Sequence, residues 1–124
     1  MNETTNNSGE PPVWDQSGLE KRVRGKTDRM VKLIKLYLAD MPARMNELST
    51  QIEQERMQEV RDVAHTIKGV CGNLGMIRLQ NAASELEVAV QDADQENISK
   101  LVPIIKAEYN KSADLLQDFV DTHS

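Results

Sequence analysis

The sixteen residues VRDVAHTIKGVCGNLG, from Val60 to Gly75, carry the clearest structural pattern in the chain. On a helical wheel at about 100° per residue, the apolar residues of this stretch fall within about 60° of one direction. They are Val60, Val63, Ala64, Ile67, Val70, Cys71 and Leu74. This is the spacing of an amphipathic helix with one face in a core. The stretch therefore predicts a helix from about Met57 to Leu74, with Gly75 as a left-handed cap.

The segments on either side have the same three-and-four spacing of apolar residues. A short helix is predicted after Asp15 or Ser17, ending at Gly25, and a long one is predicted to be capped by Thr27. Two further helices are predicted after Gly75, one ending near Asp94. The apolar positions of the long helices are Met30, Ile34, Tyr37, Leu38, Met41, Met45, Leu48 and Ile52, then Leu79, Ala82, Ala83, Leu86 and Val90, then Ile98, Leu101, Val102, Ile105, Leu116 and Phe119.

Two prolines fall inside these patterns. We expect Pro42 to kink its helix rather than end it. Pro103 predicts either a kink or a separate first section of the last helix. No Gly or Pro marks the break expected near Glu55 or Arg56. No strand pattern is present, so the fold class predicted is all-α, an up-and-down four-helix bundle with a short extra N-terminal helix.

Length and composition agree with a single compact domain. The chain has 124 residues, 39% of them hydrophobic, and only four aromatic side chains of Phe, Tyr or Trp. We predict a leader or interdomain linker over residues 1–16, the bundle over residues 17–121 and a polar tail over residues 122–124. The first twelve residues are rich in polar side chains, Gly and Pro and predict a flexible segment.

Charge and cysteine content exclude several classes of function. The formal net charge is −5, which argues against a nucleic-acid binder. The single cysteine, Cys71, excludes an internal disulfide and a cysteine-based metal site. The two histidines are far apart in the sequence, so a metal site is not expected. No apolar run reaches the length of a membrane span, and we expect a cytoplasmic domain or the cytoplasmic end of an inner-membrane protein.

His65 lies opposite the apolar stripe of its helix. A structural histidine would sit on or beside that stripe, whereas the wheel turns this one toward solvent. On its side of the helix lie Arg61, Lys68, Gly69 and Gly72, with Asp62 and Asn73 further round. Each glycine costs a helix interior about 1 kcal/mol relative to Ala. Two of them on one face indicate that another molecule comes close to the backbone there.

This arrangement suits a nucleophilic histidine. A neutral imidazole, abundant near pH 7, attacks an activated phosphoryl group to form a phosphoramidate. Lys68, one turn from His65, is within reach of a phosphoryl group held there. The sequence has no P-loop and no carboxylate cluster for Mg²⁺, so a partner would supply the metal and the acceptor.

The segment AHTIKGVCGNLG resembles the signature of the histidine phosphotransfer (HPt) domain of two-component phosphorelays. The matching positions are Ala64, His65, Ile67, Lys68, Gly69, Asn73, Leu74 and Gly75. The later stretch LQNAASELE, which includes Glu87, resembles the next helix of the family, and LYLADMPARMNEL resembles its proline-containing first long helix. The similarity extends over roughly residues 17–121. Val70, often Ser or Ala in the family, and the turn near Glu55, often Gly-Asp, depart from the pattern.

The resemblance implies roles for individual residues. His65 would be phosphorylated, usually at Nε2, and Lys68 would stabilise the phosphoryl group. Gly69 would leave room for a response-regulator receiver domain carrying a phospho-aspartate and Mg²⁺, with no cofactor in this domain. Partner docking is assigned to a set around the histidine, namely Arg61, Asp62, Gly69, Gly72 and Asn73.

Four alternatives stay open at this point. The carrier can be the C-terminal domain of a hybrid sensor histidine kinase, which the linker-like leader favours, or a stand-alone, monomeric HPt protein, which the initial Met allows. No autonomous catalytic site is present, so enzymatic activity would belong to a parent kinase. A non-phosphorylated interaction bundle and a di-metal carboxylate bundle are the remaining classes, and the outward His65 disfavours the second.

Overall fold

The structure, a computed structural model, describes residues 10–123, and the described chain is all helical. Its five helices are α1 (Gln16–Arg22), α2 (Thr27–Glu53), α3 (Met57–Leu74), α4 (Ile77–Gln91) and α5 (Gln95–His123). Helices α2 to α5 pack as an up-and-down bundle in which α3 contacts α2 and α4, and α5 closes against both. Helix α1 packs on α2 and α3. The predicted fold class is confirmed, and none of these helices is both long and apolar enough to span a membrane.

The core is aliphatic, as the composition requires. The apolar stripes of the four long helices face inward and supply nearly all the buried side chains. Those less than 2% exposed include Ile34, Met41, Leu48, Ile67, Leu79, Leu86, Ile105 and Leu116. Val70, which the wheel placed on the core face, is partly buried against this core. Helices α2 and α4 pack on the two sides of the apolar stripe of α3. The opposite face of α3 is therefore held toward solvent.

The connections between the helices depend on residues with a left-handed backbone. Gly75 ends α3 with a φ of 83°, as predicted. Glu55 has a φ of 56° in the predicted break after α2. Ala93 has a φ of 55° in the turn after α4, which ends at Gln91, three residues before the predicted end. A residue other than glycine with positive φ is uncommon, so the sequence contained no direct signal for the last two.

Two details of the helices differ from the sequence predictions. The N-cap of α2 is Lys26, not Thr27, and makes no side-chain cap bond, so the predicted threonine cap is wrong. Helix α5 is one continuous helix through Pro103, so the alternative of a separate first section is wrong. Pro42 likewise lies inside the continuous helix α2. Both prolines are exposed, so water can satisfy the carbonyls that their missing N–H groups leave free.

The segment before α1 caps the end of α3. Residues 1–9 of the predicted leader, and Ser124, lie outside the described residues, while Gln16 already belongs to α1. The Trp14 indole Nε1 donates to the Leu74 carbonyl at 2.9 Å, and the Asp15 backbone N–H donates to the Gly75 carbonyl at 2.8 Å. The last carbonyls of a helix lack partners within it. These two bonds therefore secure the histidine-bearing helix at its C-terminal end.

The C-terminal boundary also differs from the prediction. Helix α5 extends to His123, so Thr122 and His123 of the predicted polar tail are helical. The His123 ring stacks on Phe119 with centroids 4.0 Å apart, and Phe119 meets Trp14 edge-on at 5.5 Å. The two ends of the described chain are thus joined through an aromatic cluster.

One buried polar contact links α2 to α5. Ser112 donates to the Tyr109 carbonyl at 2.8 Å, and its Oγ lies 2.9 Å from the Tyr37 hydroxyl. Since the serine proton is used, the tyrosine hydroxyl donates to Ser112. Burial raises the pKa of the Tyr37 hydroxyl far above its ordinary value and raises the pKa of the nearby Cys71 thiol to about 12. Both groups are therefore protonated near pH 7, and Cys71 is not a reactive thiolate.

The direction of these hydrogen bonds predicts that Ser112→Ala lowers the free energy of unfolding more than Tyr37→Phe does. Ser112→Ala should lower the free energy of unfolding by about 1–3 kcal/mol, because the buried Tyr37 hydroxyl loses its acceptor. Tyr37→Phe should cost only about 0.5–1.5 kcal/mol, since Ser112 keeps its bond to Tyr109. Urea unfolding followed by circular dichroism measures both, with the exposed Ser99→Ala on α5 as the control. A larger loss for Tyr37→Phe would contradict the assigned donor.

Candidate functional site

The site is built on the exposed face of α3. His65 lies near the middle of that helix, and its side chain is 69% exposed. Its neighbours Ala64 and Ile67 are fully buried, so the backbone beneath the imidazole is held by the core. The predicted outward orientation of His65 is confirmed, and the ring is open to an approaching partner.

Glu87 on α4 joins His65 to Lys68. Its Oε2 lies 3.0 Å from His65 Nδ1, and its Oε1 lies 2.8 Å from Lys68 Nζ. The Glu87 side chain is only 14% exposed, because Leu86 and Ala83 bury the adjoining face of α4 against the core. One carboxylate therefore contacts both of the residues that the sequence placed one turn apart on α3.

The electrostatic balance keeps Glu87 ionised. Partial burial raises the pKa of its carboxyl, but the contacts from Lys68 and His65 outweigh burial and leave the pKa below its ordinary value. A carboxylate with a depressed pKa adds stability at neutral pH that is lost as the pH falls through that pKa. Near pH 7 Glu87 is thus a hydrogen-bond acceptor only.

The acceptor decides which ring nitrogen of His65 is free. Because Glu87 can only accept, Nδ1 of His65 must carry the proton in their bond. In a neutral imidazole only one nitrogen is protonated. The lone pair is therefore on Nε2, which points away from Glu87. This geometry places a nucleophilic nitrogen on the exposed side of the ring.

The two glycines of α3 have different surroundings. A Cβ built on Gly69 would meet nothing within 4 Å, so this position is open, as predicted. A Cβ on Gly72 would lie 3.0 Å from Gln80 Nε2 on α4. Gly72 therefore packs against a side chain of α4, which the wheel could not position, rather than facing open space. Of the two, only Gly69 leaves room for another molecule.

The remaining predicted docking residues surround the histidine more loosely. Asp62 is exposed and accepts a 3.0 Å bond from Gln58, while Arg61 is half-buried. Asn73 is exposed, and its backbone carbonyl accepts from Arg22 at 2.7 Å. The structure thus brings His65, Lys68 and Glu87 together, and it leaves Arg61, Asp62 and Asn73 as surface around them.

Sequence reasoning missed the role of Glu87. Its position was matched to the next helix of the family, but no role was assigned to it. It lies 22 residues after His65, on another helix. A charged residue directly after the buried Leu86, on the flank of the α4 stripe, was the only available signal. The sequence does not show which neighbouring helix Glu87 faces.

Comparisons with known proteins agree with this picture. A family model described as the Hpt domain matches residues 32–122. The crystal structure of histidine-containing phosphotransfer protein B from Pseudomonas aeruginosa PAO1 superposes with a TM-score of 0.84 and 20% sequence identity. The superposition covers 93% of this chain and 100% of that one. At that identity, the likeness shows the fold.

A second similarity is to a much longer protein. Macoilin from Homo sapiens and from Bos taurus is 34% identical over 90 residues, which is 67% of this chain. The chain spans about 13% of the length of these curated relatives.

The Glu87 contact predicts the tautomer of the histidine. The neutral imidazole of wild-type His65 should carry its proton on Nδ1. Glu87→Ala should shift the neutral ring toward the Nε2–H form, because the acceptor that selects Nδ1–H is gone. Long-range ¹H–¹⁵N NMR correlations of the ring report the tautomer. Glu85→Ala, which removes an exposed carboxylate two residues earlier on α4, is the control. Persistence of the Nδ1–H form in Glu87→Ala would contradict the assignment.

Proposed function

Because the chain belongs to the Hpt domain family, we propose that it is a phosphorelay carrier that receives and passes on a phosphoryl group at His65. The donor and the acceptor are aspartates of response-regulator receiver domains. The observation that carries this proposal is the 3.0 Å contact of His65 Nδ1 with Glu87, which leaves Nε2 as an exposed nucleophile.

The transfer is a displacement at phosphorus. The lone pair of His65 Nε2 forms a P–N bond while the P–O bond to the partner's aspartate breaks, and the carboxylate leaves with the electron pair. The reverse step passes the phosphoryl group to the next aspartate. No proton has to leave the imidazole in either direction, because Nδ1 keeps its own.

Glu87 is the positioning residue in this scheme. Phosphorylation at Nε2 with Nδ1 still protonated makes the ring a cation, and the carboxylate stabilises that charge, as an orienting carboxylate does for other histidines. A protonated ring is also the better leaving group. By holding the Nδ1 proton, Glu87 keeps the phosphoryl group transferable rather than locked on a neutral imidazole.

Lys68 balances charge on the other side of the carboxylate. Its ammonium is 2.8 Å from Glu87 and on the same face of α3 as His65, so it offsets the negative charge of a phosphoryl group brought next to Glu87. We propose that Lys68 stabilises the bound phosphoryl group through its flexible side chain. The pairing with Glu87 holds the ammonium near the site before transfer.

The metal belongs to the partner in this proposal. Phosphoryl transfer needs charge neutralisation on the transferred group, which Mg²⁺ usually provides. Within residues 10–123, no three side chains of His, Cys, Asp or Glu lie together as a metal site would require. We therefore assign Mg²⁺ and the acid residues that bind it to the receiver domain, and no cofactor to this chain.

The place of the carrier in a signalling protein is a further part of the proposal. We favour the C-terminal domain of a hybrid sensor histidine kinase at the cytoplasmic face of a membrane, with the polar residues before Trp14 as linker and the helical bundle as the carrier. The polar composition of the leader supports this choice. The alternative is a stand-alone carrier. The full reading frame of the gene distinguishes the two.

His65→Gln should abolish acid-labile phosphorylation by a phosphorylated receiver domain, because glutamine offers no nucleophilic ring nitrogen. The fold should be unaffected, since the side chain is exposed. Acid and base stability of the label and circular dichroism measure the two effects. His123→Gln, the other histidine, is the control and should label like wild type. Label retained by His65→Gln would refute the site.

Substitutions at Gly69 should affect docking of the receiver domain and stability of the fold in different ways. Gly69→Leu should slow transfer from a receiver domain at least about tenfold, because the leucine fills the open approach, a loss of ~1.4 kcal/mol or more. Gly69→Ala should raise the free energy of unfolding by up to about 1 kcal/mol. Phosphoramidate, a small donor that needs no docking, should label both variants at the wild-type rate. Normal transfer to Gly69→Leu would contradict the role given to this glycine.

A further inference from the structure

Residues 10–15, EPPVWD, form a strap across one end of the bundle. They are neither helix nor strand, and residues 11–15 are half-buried. This N-terminal strap contacts the end of α3, the first turn of α4 and the last turns of α5. It therefore lies where the ends of these three helices meet.

The first half of the strap is held by α4. Arg78 Nε donates to the Pro11 carbonyl at 2.7 Å, and Arg78 Nη2 lies 3.4 Å from the Glu10 carboxylate. Glu10 and Pro11 thereby lie in a groove between α4 and α5. Because Pro11 and Pro12 restrict the backbone to extended forms, the strap loses little conformational entropy when it docks.

The second half of the strap lies on the end of α3. Trp14 Nε1 donates to the Leu74 carbonyl at 2.9 Å, and the Asp15 N–H donates to the Gly75 carbonyl at 2.8 Å. The Asp15 carbonyl oxygen is only 2.8 Å from the position that a Cβ on Gly75 would take. The strap and the end of α3 are therefore in a contact that a side chain at position 75 would prevent.

The four carbonyls of residues 72–75 all accept hydrogen bonds from the N-terminal segment. Arg22 of α1 donates to the first two, at 2.8 and 2.7 Å. Trp14 and Asp15 donate to the other two. Asp15 also caps α1, since its carboxylate accepts from the Gly18 N–H at 3.1 Å. The strap thus binds two of these carbonyls directly and, through α1, positions the arginine that binds the others.

The strap can leave its groove while the bundle stays folded. None of residues 10–15 belongs to the buried core, and Trp14 is only partly buried against it. Within residues 10–123, one backbone–backbone hydrogen bond, from Asp15 to Gly75, joins the strap to a long helix. Segments with few buried apolar contacts open locally at a fraction of the free energy of global unfolding. Release of the strap is therefore a local event.

The part of α3 that the strap holds is next to His65. Gly72 follows His65 by seven residues, about 10 Å along the helix axis, and the open Gly69 lies between them. A receiver domain seated over His65 and Gly69 is therefore within reach of residues 72–75. Fraying of those residues would change the surface that the receiver meets.

We propose that the N-terminal strap is a releasable cap on α3 that sets how tightly a receiver domain binds. Docked, it holds residues 72–75 in the form that the receiver binds; released, it lets them fray and binding weakens. The proposal rests on the proposed function and adds its regulation, because anything that draws the strap from its groove lowers transfer. Coupling is reciprocal, so a bound receiver must in turn favour the docked strap.

The test uses the intact chain and purified receiver domains from the organism that carries the gene. Amide hydrogen exchange by NMR follows the Asp15 N–H, which reports the strap, and the Gly75 and Met76 N–H groups at the end of α3. Arg78→Ala loosens the strap from the side of α4, away from His65. Lys100→Ala, which removes an exposed cation from α5, is its control.

A second variant, Trp14→Ala/Arg78→Ala, removes the contacts of both halves of the strap and represents the released state. Receiver affinity is measured by titration. Transfer is followed from His65 labelled with phosphoramidate, a donor that needs no docking.

We expect Arg78→Ala to speed exchange at Asp15, Gly75 and Met76 at least about tenfold, as a local opening would. Core amides such as those of Leu48 and Leu116 should exchange as in wild type. Saturating receiver should slow Asp15 exchange in Arg78→Ala. The double variant should bind the receiver at least about fivefold more weakly, the lower end of typical coupling, and should still be labelled by phosphoramidate at the wild-type rate.

The outcomes separate the inference from the function beneath it. If labelled wild type passes its phosphoryl group to no receiver, the proposed function fails, whatever the exchange rates show. If wild type transfers and the double variant binds the receiver equally well, the inference alone is overturned. It is equally overturned if core amides open together with Asp15 in both variants, since the strap is then part of the global fold, or if the receiver leaves Asp15 exchange unchanged.

Discussion

The site depends on one interaction, the contact of the Glu87 carboxylate with both His65 Nδ1 and Lys68 Nζ. It crosses from α4 to α3 and therefore requires those helices to pack in a single register. The same contact selects the protonated ring nitrogen, holds the ammonium and keeps the carboxylate ionised. A weakly nucleophilic surface histidine thereby acquires a defined reactive atom without a catalytic apparatus of its own.

The rest of the bundle serves to hold α3 still. Its apolar stripe is buried by α2 and α4, and its last carbonyls are capped by Trp14, Asp15 and Arg22 from the N-terminal segment. In the proposed function, His65 must meet two different active sites in the same position. Because the core holds α3 rigidly, the helix loses little conformational entropy when a partner binds.

The exposed face of α3 has a different part in each half of the proposed function, chemistry and recognition. The proposed phosphoryl chemistry uses His65, Lys68 and Glu87, whereas the open Gly69 leaves room for another molecule. Because the chemistry is common to every receiver domain, it cannot distinguish among them. In the proposed function, discrimination among receiver domains therefore has to come from surface outside these three residues.

The sequence by itself determined the all-α bundle, the bounds of α3 and the outward direction of His65, because helical periodicity is a local property that one wheel can express. The role proposed for Lys68 also followed from its place one turn away. The Glu87 contact, the packing of Gly72 under Gln80, the left-handed Ala93 and the capping of α3 by Trp14 were decided only by the tertiary structure. Each depends on how two distant segments face each other, and spacing along one helix carries no information about the rotation of its neighbour.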